Sequence, residues 1–232
     1  MKTLVSFRPK LIPTLLTVPA LIILLSLSYW QFQRLAWKEG VIEKIAQQIQ
    51  LPVIELPENI DLDQMQYRKV SLEGKFLHDL ELHLYAGSMK FKGGNGYYIF
   101  TPFRLNDGRI VMVNRGWVIE NLKDSKTRPE TLNENELKLT GAIMKSEEKG
   151  VYVHDNQPDR NLWFYVNVDE MASWINLPIE KFYILAQDEK GSTLRGQDIK
   201  PNLLNNHLGY ALTWLSAAIS LLVIYILYHR KN

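Results

Sequence analysis

The chain has 232 residues and carries 27 Lys and Arg against 25 Asp and Glu, which gives a formal net charge of +2. So small a net charge does not predict a nucleic-acid-binding surface. The chain has no cysteine, which excludes disulfides, zinc–thiolate centres, iron–sulfur clusters and cysteine nucleophiles.

Two apolar segments bracket a polar region. Residues 11–33 contain no charged side chain, and residues 207–228 contain no Asp, Glu, Lys or Arg. Each holds an apolar run of about 20 residues, enough for a helix to cross a bilayer core. The first segment also resembles a secretory signal peptide, but its length and the helical pattern that continues after it favour an uncleaved anchor.

The fold class predicted is a membrane protein in which two transmembrane helices flank a β-rich α+β extramembrane domain. Basic residues are balanced on the two sides of the predicted spans, so they do not decide the orientation. The short basic N-terminus favours termini inside and the domain outside. The predicted segments are a cytoplasmic N-terminus (1–10), transmembrane helix 1 (11–32), a helical extension (33–50), a β-rich domain (51–206), transmembrane helix 2 (207–228) and a cytoplasmic tail (229–232).

Within the central domain the apolar pattern changes to a period of two from Tyr67 onward, which predicts antiparallel strands able to close toward a barrel. The letters NDG, at residues 106–108, separate two such strands and predict a hairpin. Residues 122–135 are predicted as a loop, and residues 150–168 as strand, loop and strand. A short helix follows, with Asn167 as its cap.

No enzyme motif is present, and the chain is expected not to be an enzyme. His78 and His83 are five residues apart and are expected on opposite faces of a hairpin, which makes them poor joint metal ligands. An envelope enzyme would need a pocket of perturbed acids and histidines, for instance around His154, Asp155 and Asp159, but no spacing argues for one.

The membrane boundaries carry more information. Trp30, Arg34 and Trp37 share one face of the first helix. They indicate either an interfacial anchor or a cradle for a flat anionic ligand or a partner helix. On the second helix, His207 and Trp214 share a face with small residues. His207 is either a capping residue of the helix start or a ligand of haem iron, for which imidazole is a usual donor.

In the β domain, a glycine follows an arginine inside the strand pattern "VNRGWV". Gly116 there predicts a bulge or a close backbone approach. Arg115 and Trp117 would be partner-binding anchors if exposed, and core residues if buried.

The stretches "WQFQRLAWKEGVIEKI", "LEGKFLHDLELHLYAG", "GYYIFTPFRLNDGRIVMVNRGWV" and "NNHLGYALTWLSAA" resemble the Surfeit locus protein 1 family, over residues 29–218. One departure is that Val118 is followed by Ile119, where the family often has proline. The resemblance implies an assembly factor for haem–copper cytochrome c oxidase that binds haem a and aids its insertion into subunit I. It implies His207 as the haem ligand and a structural role for Gly74. The hypothesised haem-binding set is His207, Tyr210, Trp214, Trp30, Arg34 and Trp37.

The implied partners are oxidase subunit I, haem a synthase and membrane lipid, and no nucleic acid is expected. The expected location is a bacterial inner membrane with the domain in the periplasm, or alternatively the mitochondrial inner membrane. A scaffold that stabilises an oxidase subunit without touching haem stays open as an alternative. In that alternative, changes at Arg115 or Trp117 impair oxidase assembly and a change at His207 does not.

Overall fold

The computed structural model describes residues 6–7, 9–87, 94–187, 193–196 and 205–231. The chain forms two compact units. Residues 1–44 and 202–232 make up the first, called the helical pair here, and residues 45–201 make up the second, called the β domain.

The helical pair contains the two helices that are long and apolar enough to cross a membrane, apart from residues 45–50 at the end of the first. Helix α1 runs over Leu11–Gln50 without interruption, so predicted transmembrane helix 1 and its predicted extension are one continuous helix of 40 residues. Pro13 lies in the first turn, where its missing N–H leaves no bond unmade. Pro19 lies within the helix. The second helix, α4, runs over His207–His229.

The two helices meet along a line of side chains that we call the seam. On α1 the less exposed residues recur at alternating spacings of three and four, as in a coiled coil. On α4, Ala211 and Ala218 are buried, so the face that packs on α1 is the one that these small residues share with His207 and Trp214. The α1 seam residues near its centre are Thr17, Leu21, Leu24, Ser28, Gln31 and Leu35.

Polar contacts fix an antiparallel register along the seam. The hydroxyl groups of Thr14 and Tyr225 lie 2.7 Å apart, and the Lys10 Nζ donates to the Tyr228 hydroxyl at 3.2 Å. Beyond these contacts, strand β1 (Ser6–Phe7) pairs antiparallel with strand β9 (Arg230–Lys231). The outer ends of the two helices therefore lie side by side, as a chain that crosses a membrane twice requires.

The β domain is built on a seven-stranded sheet of order β2-β3-β7-β8-β6-β5-β4, in which an additional β3–β5 pairing closes five strands into a barrel. Most pairings are antiparallel, as predicted, but β2–β3 and β6–β8 are parallel. The strands are β2 (Ile54–Glu55), β3 (Lys69–Phe76), β4 (Leu82–Ala86), β5 (Gly96–Leu105), β6 (Ile110–Ile119), β7 (Leu137–Lys145) and β8 (Ile179–Ala186).

Closure of the barrel depends on Gly74, which pairs with Leu137 of β7 and with Leu105 of β5. A Cβ at this position would overlap the backbone carbonyl oxygen of Arg104. Only glycine permits so close an approach of two strands, which is the structural role that the sequence resemblance implies.

Both faces of the sheet are buried around β6. Val111 and Val113 belong to a cluster drawn from all five barrel strands, which is the barrel interior. Met112 belongs to a second cluster on the outer face, where helix α3 (Val168–Ile175) packs. The side chain of Asn167 accepts a hydrogen bond from the Glu170 N–H, so it caps α3 as predicted. A further short helix, α2, spans Leu62–Met65.

The prediction of two strands within residues 150–168 is wrong. This segment is irregular, with one turn of 3-10 helix at Pro158–Arg160, and the side chain of Tyr152 is 98% exposed. Its apolar residues do not line a strand because Trp163 instead docks singly on β4, where its N–H donates to the His83 carbonyl oxygen at 3.0 Å. The predicted loop over residues 122–135 is present and contains two turns of 3-10 helix, at Ser125–Thr127 and Pro129–Thr131.

Candidate functional site

His207 is the first residue of α4, and its ring is held against α1. Its Nδ1 lies 2.7 Å from the Oε1 of Gln31. Gln31 is a seam residue that is only 9% exposed. The side chain of His207 is therefore tied across the helical pair, and it does not cap its own helix, since the capping position belongs to Asn206.

The second ring nitrogen of His207, Nε2, takes no part in the bond to Gln31. Within the described part of the chain, no hydrogen bond reaches its Nε2. The carboxamide oxygen of Gln31 can only accept, so the Nδ1 carries the hydrogen, and in a neutral ring the lone pair is then on Nε2. A neutral imidazole in this tautomer is a metal ligand through Nε2.

One turn along the seam, Ser28 adds a second polar contact. Its Oγ donates to the carbonyl oxygen of Ala211 at 3.0 Å, and both residues are buried. In a segment that crosses lipid, such a bond satisfies polar groups that have no access to water. It holds the start of α4 and the region of Gln31 in a fixed register.

The residues predicted as an aromatic cradle lie elsewhere on α1. Trp30 and Trp37 are 50% and 60% exposed, and the Arg34 guanidinium stacks over the Trp37 ring at 4.7 Å. At 100° per residue, these three residues, the aromatic–arginine face, point roughly 130° away from the seam. The structure thus brings His207 together with Gln31 and not with this face, and whether the face binds haem stays a prediction.

The two aromatic residues predicted on α4 differ in their surroundings. Trp214 is partly buried and follows the seam spacing two turns after His207. Tyr210 is 56% exposed at the edge of that face. Their haem-binding role also stays a prediction, but Gly209 leaves the space beside them open, since a Cβ there would meet no atom within 4 Å.

In the β domain, the predicted bulge is present at the arginine–glycine pair. Ile99 pairs with Gly116 while Phe100 pairs with Asn114, so Arg115 is the extra residue. Gly116 has a φ of +128°. A Cβ on it would come 2.7 Å from the Arg195 carbonyl oxygen. Both predicted properties of this glycine, the bulge and the close backbone approach, are confirmed.

The two residues predicted as partner anchors are held inside the β domain. Trp117 is only 2% exposed and belongs to the outer-face core, so its burial supports the core alternative. Arg115 is partly buried, stacks over Phe76 at 4.4 Å and approaches the Nδ1 of His78 at 3.3 Å. It also donates to the Thr131 carbonyl oxygen, and so it ties the loop after β6 to the sheet.

A polar cavity of about 400 Å³ lies beside this loop. Its wall includes Glu81, which is buried and pairs with the fully buried Arg128. Burial acts to raise the pKa of Glu81, but the hydrogen bond from His83 and the charge of Arg128 together hold it below its ordinary value. The pair is a structural ion pair that joins the residue before β4 to the loop. The described residues contain no group of three or more His, Asp or Glu side chains that could hold a metal ion.

The residues named for an alternative enzyme site do not form one cluster of contacts. Asp155 pairs with Lys149 on the surface, and the His154 ring packs on Phe164. Neither contact involves the cavity. The arrangement favours ordinary surface positions for this segment.

The model of the SURF1 family matches residues 18–219. The chain belongs to the SURF1 family.

Relatives in the SURF1 family come from bacteria and animals. A SURF1-like protein of Rickettsia conorii is 33% identical over 217 residues, covering 90% of this chain and 88% of the relative. A SURF1-like protein of Drosophila melanogaster is also 33% identical, covering 90% and 74%. The Surfeit locus protein 1 of Xenopus tropicalis is 30% identical, covering 82% and 66%.

The matched range, residues 18–219, covers both partners of the hydrogen bond across the seam, Gln31 and His207. Sequence reasoning singled out His207 but missed Gln31. The signal for Gln31 was present, because the residues Ser28, Gln31 and Leu35 follow the seam spacing and place a carboxamide among apolar neighbours.

Proposed function

We propose that this protein is an assembly factor for haem–copper cytochrome c oxidase that binds haem a through His207 and aids its insertion into subunit I. The observation that carries the proposal is the hydrogen bonding of the two ring nitrogens of His207. Its Nδ1 is held by Gln31, and its Nε2 has no hydrogen bond among the described residues. The donor therefore fits iron ligation, for which a neutral imidazole nitrogen is the usual group.

The position of His207 suits an amphiphilic cofactor. It begins an apolar helix, so a ligand at its ring lies where polar and apolar surroundings meet. The exposed Leu208 and Tyr210 flank it. A haem held there would bury its apolar ring against the first turns of α4 while its propionates reach water.

The number of histidines supports a carrier more than a permanent haem protein. The helical pair has one further histidine, His229, at the other end of α4. A helix of that length separates the two by roughly 33 Å, so the pair cannot ligate one iron together. A single protein ligand suits a protein that must release its cofactor to subunit I.

The proposal includes partners and a location. Oxidase subunit I receives the haem, haem a synthase supplies it, and the membrane is the bacterial inner membrane with the β domain in the periplasm. The pairing of β1 with β9 supports helix ends on a common side of the membrane. The alternative location is the mitochondrial inner membrane.

The deciding experiment is a visible absorption spectrum of the protein purified in detergent from a host that makes haem a. We expect haem a in the wild type and a large loss in His207→Ala. The matched control is His229→Ala, which removes a histidine from the other end of the same helix and is expected to leave haem bound. Equal haem in wild type and His207→Ala contradicts the proposal.

A second candidate function is a membrane scaffold that stabilises an oxidase subunit without binding haem. The exposure of the aromatic–arginine face favours it, because two tryptophans and an arginine are available there to a partner helix or lipid. Oxidase activity in cells that carry only His207→Ala separates the candidates. Normal oxidase assembly in these cells supports the scaffold.

A further inference from the structure

We infer that Gln31 is a positioning residue that fixes the tautomer and the direction of the His207 ring, so that Nε2 is the atom offered to iron. This inference rests on the proposed function, in which His207 is the haem ligand. It assigns to α1 a part in ligation through the seam face, where Gln31 lies.

The first step is the hydrogen bond itself. The His207 Nδ1 and the Gln31 Oε1 are 2.7 Å apart, a short distance for a bond between nitrogen and oxygen. Because the oxygen has lone pairs and no hydrogen, the ring donates through Nδ1. The opposite tautomer would set a nitrogen lone pair against the oxygen lone pairs.

The second step is the fixed position of the acceptor. Gln31 is 9% exposed within the seam, and Ser28, one turn earlier, is bound to the Ala211 carbonyl oxygen. Two polar contacts therefore cross the seam near the start of α4. They limit both the rotation of α4 about its axis and its sliding along α1, which limits the direction of the His207 ring.

The third step is the effect on ligation. Metal-bound histidines commonly donate their second N–H to a carbonyl or carboxylate oxygen, which orients the ring and raises its basicity. Loss of such a partner typically costs about 10–100-fold in metal affinity. A buried carboxamide supplies this partner without adding a charge to the membrane.

The tautomer is measured on the haem-free protein by nitrogen NMR after labelling of histidine with ¹⁵N, with His207→Ala used to assign the signal. We expect His207 to carry its hydrogen on Nδ1 in the wild type, and this preference to weaken in Gln31→Met. A carboxamide turned the other way would donate to Nδ1 and place the hydrogen on Nε2. That result, or a Gln31→Met protein with an unchanged signal, overturns the inference.

Haem binding is measured by titration of the same proteins with haem a. We expect Gln31→Met to bind about 10–100-fold more weakly and to show a lower iron–histidine stretching frequency in the reduced complex. Gln31→Glu keeps an acceptor oxygen and is expected to restore binding with a lower reduction potential. Ser28→Ala removes the neighbouring seam bond but leaves the Gln31 contact in place, so it is the comparison variant and should weaken binding less than Gln31→Met does.

The failures of the two proposals are distinguishable. If His207→Ala keeps its haem, the proposed function fails, and the role of Gln31 in ligation fails with it. If His207→Ala loses haem while Gln31→Met matches the wild type in affinity and stretching frequency, the proposed function stands and only the role of Gln31 is overturned. Equal losses in Gln31→Met and Ser28→Ala indicate seam packing and also overturn it.

Discussion

The backbone of Gly116 lies directly against that of Arg195, beside the isolated antiparallel bridge that Trp117 forms with Arg195. The Trp117 N–H donates to the Arg195 carbonyl oxygen at 2.7 Å, and the Arg195 N–H returns a bond at 2.9 Å. A side chain on Gly116 would meet that same carbonyl oxygen. The bulge at Arg115 and this close approach therefore require the same glycine.

Gly116→Ala is expected to destabilise the protein by about 3 kcal/mol, because a φ of +128° is strained for alanine and its Cβ would clash with backbone. For a chain of this size, that loss lowers the thermal unfolding midpoint by roughly 6–12 °C. Gly108→Ala is the control, since Gly108 also has a positive φ but open space around it. Equal midpoints for the two variants would contradict the clash.

Arg128→Met is expected to destabilise the β domain by about 3–5 kcal/mol, because it leaves the Glu81 carboxylate buried without its main cation. The double variant Arg128→Met with Glu81→Gln removes the stranded charge and should recover part of that loss. Chemical denaturation in detergent, followed by tryptophan fluorescence, measures both. If the double variant is no more stable than Arg128→Met, the unpaired charge of Glu81 is not the cause of the destabilisation.

The pH dependence of stability follows from the lowered pKa of Glu81. A carboxylate with a folded pKa below its unfolded value stabilises the fold above the unfolded value, and this contribution is lost as the pH falls through the folded pKa. We therefore expect the unfolding midpoint to drop as the pH falls below about 4.5. Glu81→Gln should flatten this drop.

Asp107→Asn is the control for that titration. The pKa of Asp107 is also lowered, by its hydrogen bonds with Arg109, but the carboxylate is exposed. Exposed ion pairs contribute little to stability, so the acid sensitivity of this variant should match the wild type. A larger change in Asp107→Asn than in Glu81→Gln would show that the buried pair does not govern acid unfolding.

The antiparallel register of the helical pair is testable by cysteine cross-linking, since the chain has no cysteine of its own. Ser28→Cys combined with Ala211→Cys should cross-link rapidly in membranes, because these residues meet at the seam. Thr14→Cys combined with Ala211→Cys is the control and should not cross-link within one chain. Thr14 lies near Tyr225, at the opposite end of the seam from Ala211. Efficient cross-linking of the control pair would refute the register.

Much of the fold is predictable because its signals are local. The period-two strands, the turn at residues 106–108, the Asn167 cap and the bulge at Gly116 each depend on a few neighbouring residues. The closure of the barrel at Gly74 and the parallel β6–β8 pairing depend on contacts between distant parts of the chain. Residues 150–168 show the same limit. The position of Trp163 is fixed by its contact with the distant strand β4, and the apolar pattern of the segment itself does not reveal it.

The candidate site shows this limit most clearly. Sequence periodicity gave the correct shared face for Trp30, Arg34 and Trp37, but periodicity cannot say which face of α1 meets α4. The prediction grouped these three residues with His207 only because they lie at a similar depth in the membrane. Gln31, which lies on the seam face of α1, is the residue that the seam brings to His207.

Arg34→Ala and Trp37→Ala are therefore expected to change haem a affinity by less than roughly twofold, because their face points about 130° away from the seam. Arg34→Ala also removes the stacking of the guanidinium on Trp37, so we expect it to weaken contact with a partner helix or with lipid head groups. Titration with haem a beside the His207→Ala protein measures the first effect, and co-purification with oxidase subunit I measures the second. A loss of haem in Arg34→Ala as large as that in His207→Ala would show that the aromatic–arginine face contacts the cofactor, which would then have to reach around the side of α1.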